Sequence, residues 1–183
     1  MHVEDTALEG VKIIHLDVFG DERGSFSENY DSQSFANLGI DTVFVQDSWS
    51  RSTKAGVVRG LHFQLPPKAQ SKIVRITRGR VFDVIVDLRK SSDTFGQHIS
   101  LELSEHEPLC VLVPEGFAHG FCTLEDETWV TYKMSDHYTP DLYKGLKWND
   151  PDLNINWPVS ADQALVSQKD AVHPALKDLP ETF

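Results

Sequence analysis

The sequence is poor in basic residues and has no long apolar run, and each scarcity excludes a class of protein. Lysine and arginine total 17 against 28 aspartates and glutamates, which leaves a formal net charge of −11 over 183 residues. A chain this acidic has no general attraction for nucleic acid or for anionic membrane surfaces, so we expect neither as a partner. No apolar run approaches the roughly 18 residues of a membrane-spanning helix, so we expect no membrane span.

Cysteine and signature motifs are also scarce. The only cysteines, Cys110 and Cys122, form neither a CxxC pair nor a disulfide framework, and the N-terminal segment lacks the basic-then-apolar pattern of a signal peptide. These features predict a cytoplasmic protein. The sequence has no GxGxxG, Walker A, GxSxG or HExxH motif, so a bound nucleotide phosphate would be held by side chains and not by a glycine-rich loop.

The residues that are present predict one all-β domain over 1–183. No repeat or linker divides the chain, and the composition is that of an ordinary globular protein. Many short runs of β-branched and aromatic residues at close spacing are typical of a sandwich, jelly roll or barrel. The predicted strands are 42–47, 56–64, 71–77, 80–88, 97–104, 109–114 and 128–134. Helix is predicted only over 31–38, capped by Asp31 or Ser32, with short pieces near 161–177.

The run 80–88 alternates in period two, which is typical of a strand with two different faces. One set of alternate residues is wholly apolar and the other carries two aspartates; the sets are Phe82, Val84, Val86 and Leu88, and Val81, Asp83, Ile85 and Asp87. The pattern predicts one face on a dry core and the other on polar surroundings.

The run 59–64 (RGLHFQ) is the first stretch that could carry chemistry. On an extended strand Leu61 and Phe63 point to one side and His62 to the other, so the imidazole should face a pocket, with Lys72 further along the chain. A histidine near neutral pKa suits a general base. An equally open interpretation is a structural histidine that bonds a backbone carbonyl.

The run 114–121 (PEGFAHGF) is the second such stretch. It predicts a tight turn that leads to His119 near a strand end, and a locally bonded turn histidine is again the alternative. The Pro-x-Gly-x-x-His spacing resembles the second half of the cupin metal signature. Its first half, His-x-His followed by Glu, is depleted here, because the chain reads His62-Phe63-Gln64 and has no carboxylate in 65–71. We therefore predict no metal site.

Several further polar residues gain meaning only as a set. Tyr132 lies in a predicted strand and could donate a proton from its phenol, although a packed strand tyrosine is the commoner case. Asp170 could be an ordinary carboxylate at a helix start. Isolated cations in an acidic chain are usually just solvated; here they are Arg23, Arg59, Lys72 and Lys169.

Taken together, these stretches closely resemble the dTDP-4-dehydrorhamnose 3,5-epimerase family. The resemblance covers about residues 11–170 in consistent order, and such a set of motifs is very specific. It is carried by VFGDERGSFSE, VQDSWSRS, GVVRGLHFQ, QSKIVRITRGRVFDVIVDLRKSSDTFG, VPEGFAHGF, TYKMSDHYTP, WNDPDLNINWP and SQKD.

The resemblance implies a cupin-type jelly roll that works as a homodimer on a dTDP-sugar without metal or organic cofactor. The N-terminal segment, about 1–50, would be exchanged between subunits and contribute to the nucleotide site. By position, His62 would be the general base, oriented by Asp170, and Tyr132 the proton donor on the opposite face of the sugar. Lys72 would stabilise the enolate oxygen at C4.

The resemblance also implies the remaining binding residues. Arg59 and His119 would complete the sugar pocket, with Asp83 supporting His119. The residues expected to line the nucleotide diphosphate site are Arg23, Phe26, Glu28, Gln46, Tyr138 and Lys169. One departure from the family pattern is Ser48, where the family often has asparagine, and its shorter side chain changes a polar contact to the ligand.

Three alternatives stay open at this point. An epimerase could act at one carbon only, or on another nucleotide sugar. A non-catalytic cupin could bind a sugar nucleotide as a sensor, although the presence of His62, Tyr132 and Asp170 together favours catalysis. A metal-dependent cupin isomerase or dioxygenase is the third.

Overall fold

The computed structural model describes residues 1–183 and consists mainly of short strands. In chain order the strands are β1 (His2–Asp5), β2 (Lys12–His15), β3 (Phe19–Asp21), β4 (Gly24–Phe26), β5 (Gln46–Ser52), β6 (Val57–Gln64), β7 (Lys72–Arg78), β8 (Arg80–Asp87), β9 (His98–Ser104), β10 (Leu109–Val113), β11 (Phe117–Thr123), β12 (Thr128–Met134), β13 (Tyr143–Gly145) and β14 (Leu165–Val166). The helical pieces are α1 (Ser32–Asn37) and the 3₁₀ turns Asp170–Val172 and Leu176–Asp178.

The strands form two sheets that face each other. One sheet has the order β1-β2-β10-β7-β12-β5, and the other has β13-β6-β11-β8-β9, with β14 added in parallel to β6. The β3–β4 hairpin stands apart from both sheets. Sequence neighbours such as β10 and β11 belong to opposite sheets, so the chain repeatedly crosses the sandwich. This is the predicted cupin-type jelly roll, and the all-β fold class is confirmed.

The main core fills the space between the two sheets. Alternate residues of β7, β10 and β12 meet alternate residues of β8, β9 and β11, as the period of two requires. The cluster comprises Leu8, Val11, Val74, Ile76, Val81, Ile85, Leu103, Val111, Val113, Phe117, Phe121 and Val130. This packing fills one part of the sandwich and leaves another part open for polar side chains.

The second sheet is also covered on its outer face. Leu61 and Phe63 of β6 pack there with Val84 and Val86 of β8, under the chain that follows β13. The prediction of one dry and one polar face for 80–88 was therefore wrong for most of that strand. Asp83 and Asp87 are buried carboxylates in this strand. The strand is covered on both faces because the C-terminal segment returns over the sheet.

Two predicted element boundaries were also wrong. The strand expected at 42–47 begins at Gln46 and runs to Ser52. Val43 and Val45 lie before it and are exposed. The stretch around His119, predicted as a turn near a strand end, is the strand Phe117–Thr123 and is buried throughout. The alternation rule cannot identify such a strand, because both of its faces are covered.

The helix prediction is confirmed. Asp31 caps α1, since its carboxylate accepts a hydrogen bond from the backbone N–H of Ser34 at 2.8 Å. Phe35 anchors the helix against the outer face of the first sheet, in a cluster with Ile14 and Ile73. None of the helices has the length and apolarity needed to cross a membrane.

Candidate active site

A cavity of about 720 Å³ opens between the two sheets, beside the main core. Its walls come from strands β5, β6, β7, β11, β12 and β13 and from the segment 164–170. Five of the predicted site residues line it together with Asp170; these are Arg59, His62, Lys72, His119 and Tyr132. Lys169 lines it as well. The fold thus gathers residues that are up to 111 positions apart in the sequence.

Two facing glycines bring β6 and β11 close together at the floor of this cavity. A Cβ added at Gly60, whose φ is +118°, would lie 2.6 Å from the Cα of Gly120. A Cβ added at Gly120 would lie 2.6 Å from the carbonyl oxygen of Arg59. Only glycine fits such an approach. The register shifts next to Gly120, while His62 and His119 remain directly paired across the two strands.

His62 and Asp170 form the predicted dyad. The Nε2 atom of His62 lies 2.8 Å from Oδ1 of Asp170, and the backbone N–H of Gly60 donates to Oδ2 at 3.3 Å. Burial lowers the pKa of His62 below its ordinary value, and the hydrogen bond and charge of Asp170 offset part of that change. Burial raises the pKa of Asp170, but the bond from His62 and the other contacts outweigh it, so the carboxylate stays ionised.

Lys72 supplies a buried positive charge to the same cavity. It is 8% exposed, and its ammonium donates to the carbonyl oxygen of His62 at 3.4 Å. Burial lowers the pKa of Lys72 to about 8, because the charged form loses hydration. No salt bridge neutralises this ammonium, so it remains available to an anionic group in the cavity.

Tyr132 presents a protonated phenol to the cavity. Its hydroxyl lies 3.1 Å from Oγ of Ser50 on the neighbouring strand β5. Burial raises the pKa of Tyr132 to about 12, so the phenol keeps its proton at neutral pH. A proton donor and a buried imidazole therefore border one cavity.

The second histidine has its own carboxylate. His119 Nε2 lies 2.7 Å from Oδ2 of Asp83, with both side chains buried, so the predicted contact is present. The Oδ1 atom of Asp83 has no partner. Two hydrogen bonds fix the guanidinium of Arg59, which also lines the cavity. Its Nε donates to Oγ of Ser52 at 3.1 Å, and its Nη2 donates to the carbonyl oxygen of Arg51 at 3.0 Å.

The predicted nucleotide residues lie at the cavity mouth or outside it. Tyr138 is 48% exposed, and its backbone N–H donates to Oε1 of Gln46 at 2.9 Å. The amide of Gln46 reaches Oγ of Ser48 at 3.4 Å. The Lys169 ammonium lies 4.8 Å from the ring centre of Tyr143. Gln46, Ser48 and Tyr138 contact one another, and Tyr138 adjoins the cavity-lining Tyr143; of the predicted nucleotide residues, Lys169 lines the cavity itself.

Arg23, Phe26 and Glu28 are not brought into this cavity by their own chain. They lie on or just after the β3–β4 hairpin and are exposed, with Phe26 64% exposed. The guanidinium of Arg23 is paired with Asp21 on the same hairpin. A single chain thus leaves part of the predicted nucleotide site unassembled.

Two residues beside His62 were missed by the sequence analysis. Tyr143 lines the cavity, and its ring lies 5.2 Å from that of His62 and 5.1 Å from that of Tyr138, measured between centres. His173 packs edge-on to His62 at 5.8 Å. Tyr143 lies on a three-residue strand and His173 just beyond a 3₁₀ turn, so neither element is long enough to show a periodic pattern.

The same region contains the only group of three possible metal donors. Donor atoms of His62, Asp170 and His173 lie within 4.8 Å of one another. However, both Asp170 oxygens already accept hydrogen bonds, from His62 and from the Gly60 backbone. These contacts hold Asp170 between the imidazole of His62 and the backbone of β6.

The fold and the cavity together define a member of the cupin-type jelly-roll proteins with paired basic and acidic side chains in its interior. The dTDP-4-dehydrorhamnose 3,5-epimerase family model matches residues 5–178. The relative from Sinorhizobium fredii is a dTDP-4-dehydrorhamnose 3,5-epimerase that is 45% identical over 183 residues, which cover 100% of this chain and 93% of the relative.

Solved structures agree. The dTDP-4-dehydrorhamnose 3,5-epimerase of Bacillus anthracis, with TDP and PPi bound, has a TM-score of 0.91 and 45% identity, covering 94% of this chain and 98% of its own. The dTDP-6-deoxy-D-glucose-3,5-epimerase of Legionella pneumophila, in complex with dTDP-4-keto-L-rhamnose, has a TM-score of 0.91 and 40% identity, covering 97% and 94%. The chain belongs to the dTDP-4-dehydrorhamnose 3,5-epimerase family of isomerases, as the sequence resemblance indicated.

Proposed function

We propose that this protein converts dTDP-4-dehydro-6-deoxy-D-glucose into dTDP-4-dehydro-β-L-rhamnose by inverting C3 and C5, a step of dTDP-L-rhamnose biosynthesis. The single observation that carries the proposal is the cavity in which the His62–Asp170 pair, Lys72 and Tyr132 meet. The chemistry needs a base, a cation and an acid around one sugar, and the cavity offers all three.

His62 acts as the general base. The protons at C3 and C5 are acidic because each lies next to the C4 ketone, and their removal gives an enolate. Asp170 holds Nε2 of His62 at 2.8 Å, which leaves Nδ1 as the nitrogen that accepts the proton. Burial keeps the imidazole neutral at physiological pH, so it is ready to act.

Lys72 stabilises the enolate. Negative charge accumulates on the C4 oxygen as the proton leaves, and a buried cation acts most strongly where water is excluded. Lys72 is the buried cation nearest the base, since its ammonium contacts the carbonyl oxygen of His62 itself. Removing one such group typically costs about 3–4 kcal/mol of transition-state stabilisation.

Tyr132 returns a proton to the opposite face of the carbon. A phenol whose pKa lies near 12 stays protonated until a strongly basic carbanion needs the proton. Abstraction from one face and donation from the other inverts the centre. The C3 and C5 steps would use the same three groups in turn.

The working molecule is a homodimer in this proposal. Arg23, Phe26 and Glu28 lie on an exposed hairpin outside the cavity of their own chain, yet they match nucleotide-binding positions of the family. The β3–β4 hairpin is the part of the N-terminal segment, about 1–50, that stands apart from both sheets of its own chain. Its exchange between subunits would bring these residues to the partner's cavity mouth, beside the partner's Gln46 and the partner's Tyr138. Exposed Trp49 and Val43 support a buried face in a dimer.

A cytoplasmic location completes the proposal. Cys110 and Cys122 are free thiols buried in the sandwich, as is usual in a reducing compartment.

The proposed function is tested by turnover of purified protein on dTDP-4-dehydro-6-deoxy-D-glucose, with the product trapped by coupled reduction. The wild type should form the L-sugar, and His62→Ala should lose on the order of 10²–10⁴-fold in turnover. His106→Ala changes an exposed histidine and should match the wild type. Near-wild-type turnover by His62→Ala would show that another group is the base.

A further inference from the structure

Asp170 has a second histidine beside it that the mechanism above does not use. The Nε2 atom of His173 lies 3.4 Å from Oδ1 of Asp170, the same oxygen that His62 contacts at 2.8 Å. This Nε2 is buried and makes no formed hydrogen bond. Buried polar atoms are nearly always bonded, so an unpaired ring nitrogen aimed at the catalytic carboxylate needs an explanation.

The fold makes specific room for this ring. A Cβ added at Gly145 on β13 would lie 2.1 Å from Nε2 of His173, so only glycine at that position admits the imidazole. The side chain of His173 is 12% exposed, and its ring packs edge-on to that of His62. The position of His173 next to the dyad is therefore held by packing, not by chance surface contact.

A second N–H directed at Oδ1 would change what Asp170 does to His62. The negative charge of Asp170 favours the imidazolium form of His62, and a carboxylate that is shared between two donors favours it less. Asp170 without a second donor would draw a proton onto His62, which would then be unable to accept one from the substrate.

We propose that His173 is a positioning residue that shares the Asp170 carboxylate with His62 and thereby keeps the His62 imidazole unprotonated and ready to accept a proton. The inference rests on the proposed function for its catalytic meaning. It deepens that function by naming a residue that sets the protonation state of the base.

The charged groups around His173 are consistent with this role. Burial lowers the pKa of His173, with Asp170 acting in the opposite sense and Lys169 in the same sense, so the ring is neutral and acts as an N–H donor at neutral pH. Lys72 faces His62 from β7 and also disfavours its charged form. Lys144 and Glu181 line a separate cavity of about 210 Å³ on the far side of His173 and have opposite charges.

The direct test is an NMR titration of the His62 ring nitrogens in ¹⁵N-histidine-labelled protein, without substrate and with EDTA present. In His173→Ala the pKa of His62 should rise by about 0.5–1 unit relative to the wild type, because Asp170 then serves His62 alone. His173→Gln can direct an amide N–H at the same oxygen and should restore most of the wild-type value. His106→Ala should leave it unchanged.

A variant that keeps the bulk of the side chain but has no N–H separates this role from burial alone. His173→Leu should raise the pKa of His62 as His173→Ala does, because neither variant can donate to Asp170. If His173 acted only by excluding water from His62, His173→Leu would keep the wild-type value; that result, or a constant or lower pKa of His62 in His173→Ala, overturns the inference. His173→Gln keeps the bulk of the side chain and gives a reading even if His173→Ala does not fold. Because the titration needs no substrate, it tests the role of His173 whether or not the wild type epimerises the dTDP-sugar.

Discussion

At the residue scale, burial lowers the pKa of both His62 and Lys72, with opposite consequences for activity. His62 must be neutral to accept a proton, so activity is lost as pH falls through its pKa, which lies below 6.5. Lys72 must be charged to stabilise the enolate, so activity is lost as pH rises through about 8. We predict a bell-shaped dependence of kcat/KM on pH with these two limbs.

The alkaline limb has a matched control. Lys72→Arg keeps a positive charge at all accessible pH values, so any activity it retains should not decline near pH 8. A wild-type profile that stays flat to pH 10 would contradict the assignment of Lys72 as the required cation.

Tyr132 separates proton removal from proton return. Tyr132→Phe removes only the hydroxyl that lies 3.1 Å from Ser50 and leaves the His62–Asp170 pair intact. We predict that this variant still exchanges substrate protons with D₂O but loses productive inversion, by roughly 10²–10⁴-fold. Tyr30→Phe, at a tyrosine outside the cavity, serves as the control. Loss of exchange and inversion to the same extent in Tyr132→Phe would instead make Tyr132 essential for abstraction.

Individual residues could be predicted from the sequence only in part. The strand pattern alone indicated that His62 faces away from Leu61 and Phe63, and the structure has this arrangement. The pairing of His62 with Asp170 spans 108 positions, and no local pattern reports a contact at that distance. The resemblance to the family predicted the pairing of His62 with Asp170. His173 lies outside the matching motifs and was missed.

At the scale of single elements, strands with one covered face were the easiest to predict. Strand β12 (Thr128–Met134) has the predicted bounds, because its residues alternate between a face with buried residues and a face that is only partly buried. Strand β11 (Phe117–Thr123) is buried on both faces, so its sequence shows no alternation. The prediction at 42–47 counted Val43 and Val45 as strand residues although they are exposed; apolar composition misled the assignment there.

The junction of β6 and β11 gives a prediction about stability. Gly60→Ala places a Cβ 2.6 Å from the Cα of Gly120 and forces a non-glycine residue to φ +118°. We expect a loss of at least about 1–3 kcal/mol in the free energy of unfolding, together with displacement of His62. Gly39→Ala is the control for positive φ alone, because nothing lies within 4 Å of its added Cβ.

Denaturant unfolding of both glycine variants measures this difference. Equal losses in the two variants would mean that backbone conformation, and not the close approach of the strands, accounts for the cost at Gly60.

At the scale of the whole molecule, the proposed exchange of N-terminal segments predicts complementation between inactive subunits. Arg23→Ala/Phe26→Ala damages the site of the partner, whereas His62→Ala damages the site of its own chain. Random reassociation makes half of the dimers mixed, and each mixed dimer has one intact site, so about a quarter of wild-type activity should return. Size-exclusion chromatography should show a dimer.

The control for this experiment mixes variants that damage the same site. A mixture of His62→Ala subunits with Lys72→Met subunits leaves every site defective and should recover no activity. Absence of recovery in the first mixture, with dimers present, would mean that each chain builds its site alone.

The central claim, that one cavity epimerises both C3 and C5, is tested most directly by proton NMR in D₂O with dTDP-4-dehydro-6-deoxy-D-glucose. We predict that wild-type protein abolishes both the H3 and the H5 signals and yields the L-sugar on coupled reduction, and that His62→Ala abolishes neither. Loss of only one signal would contradict double epimerisation and indicate an enzyme that acts at a single carbon. Retention of both signals with the wild type would contradict the substrate assignment itself.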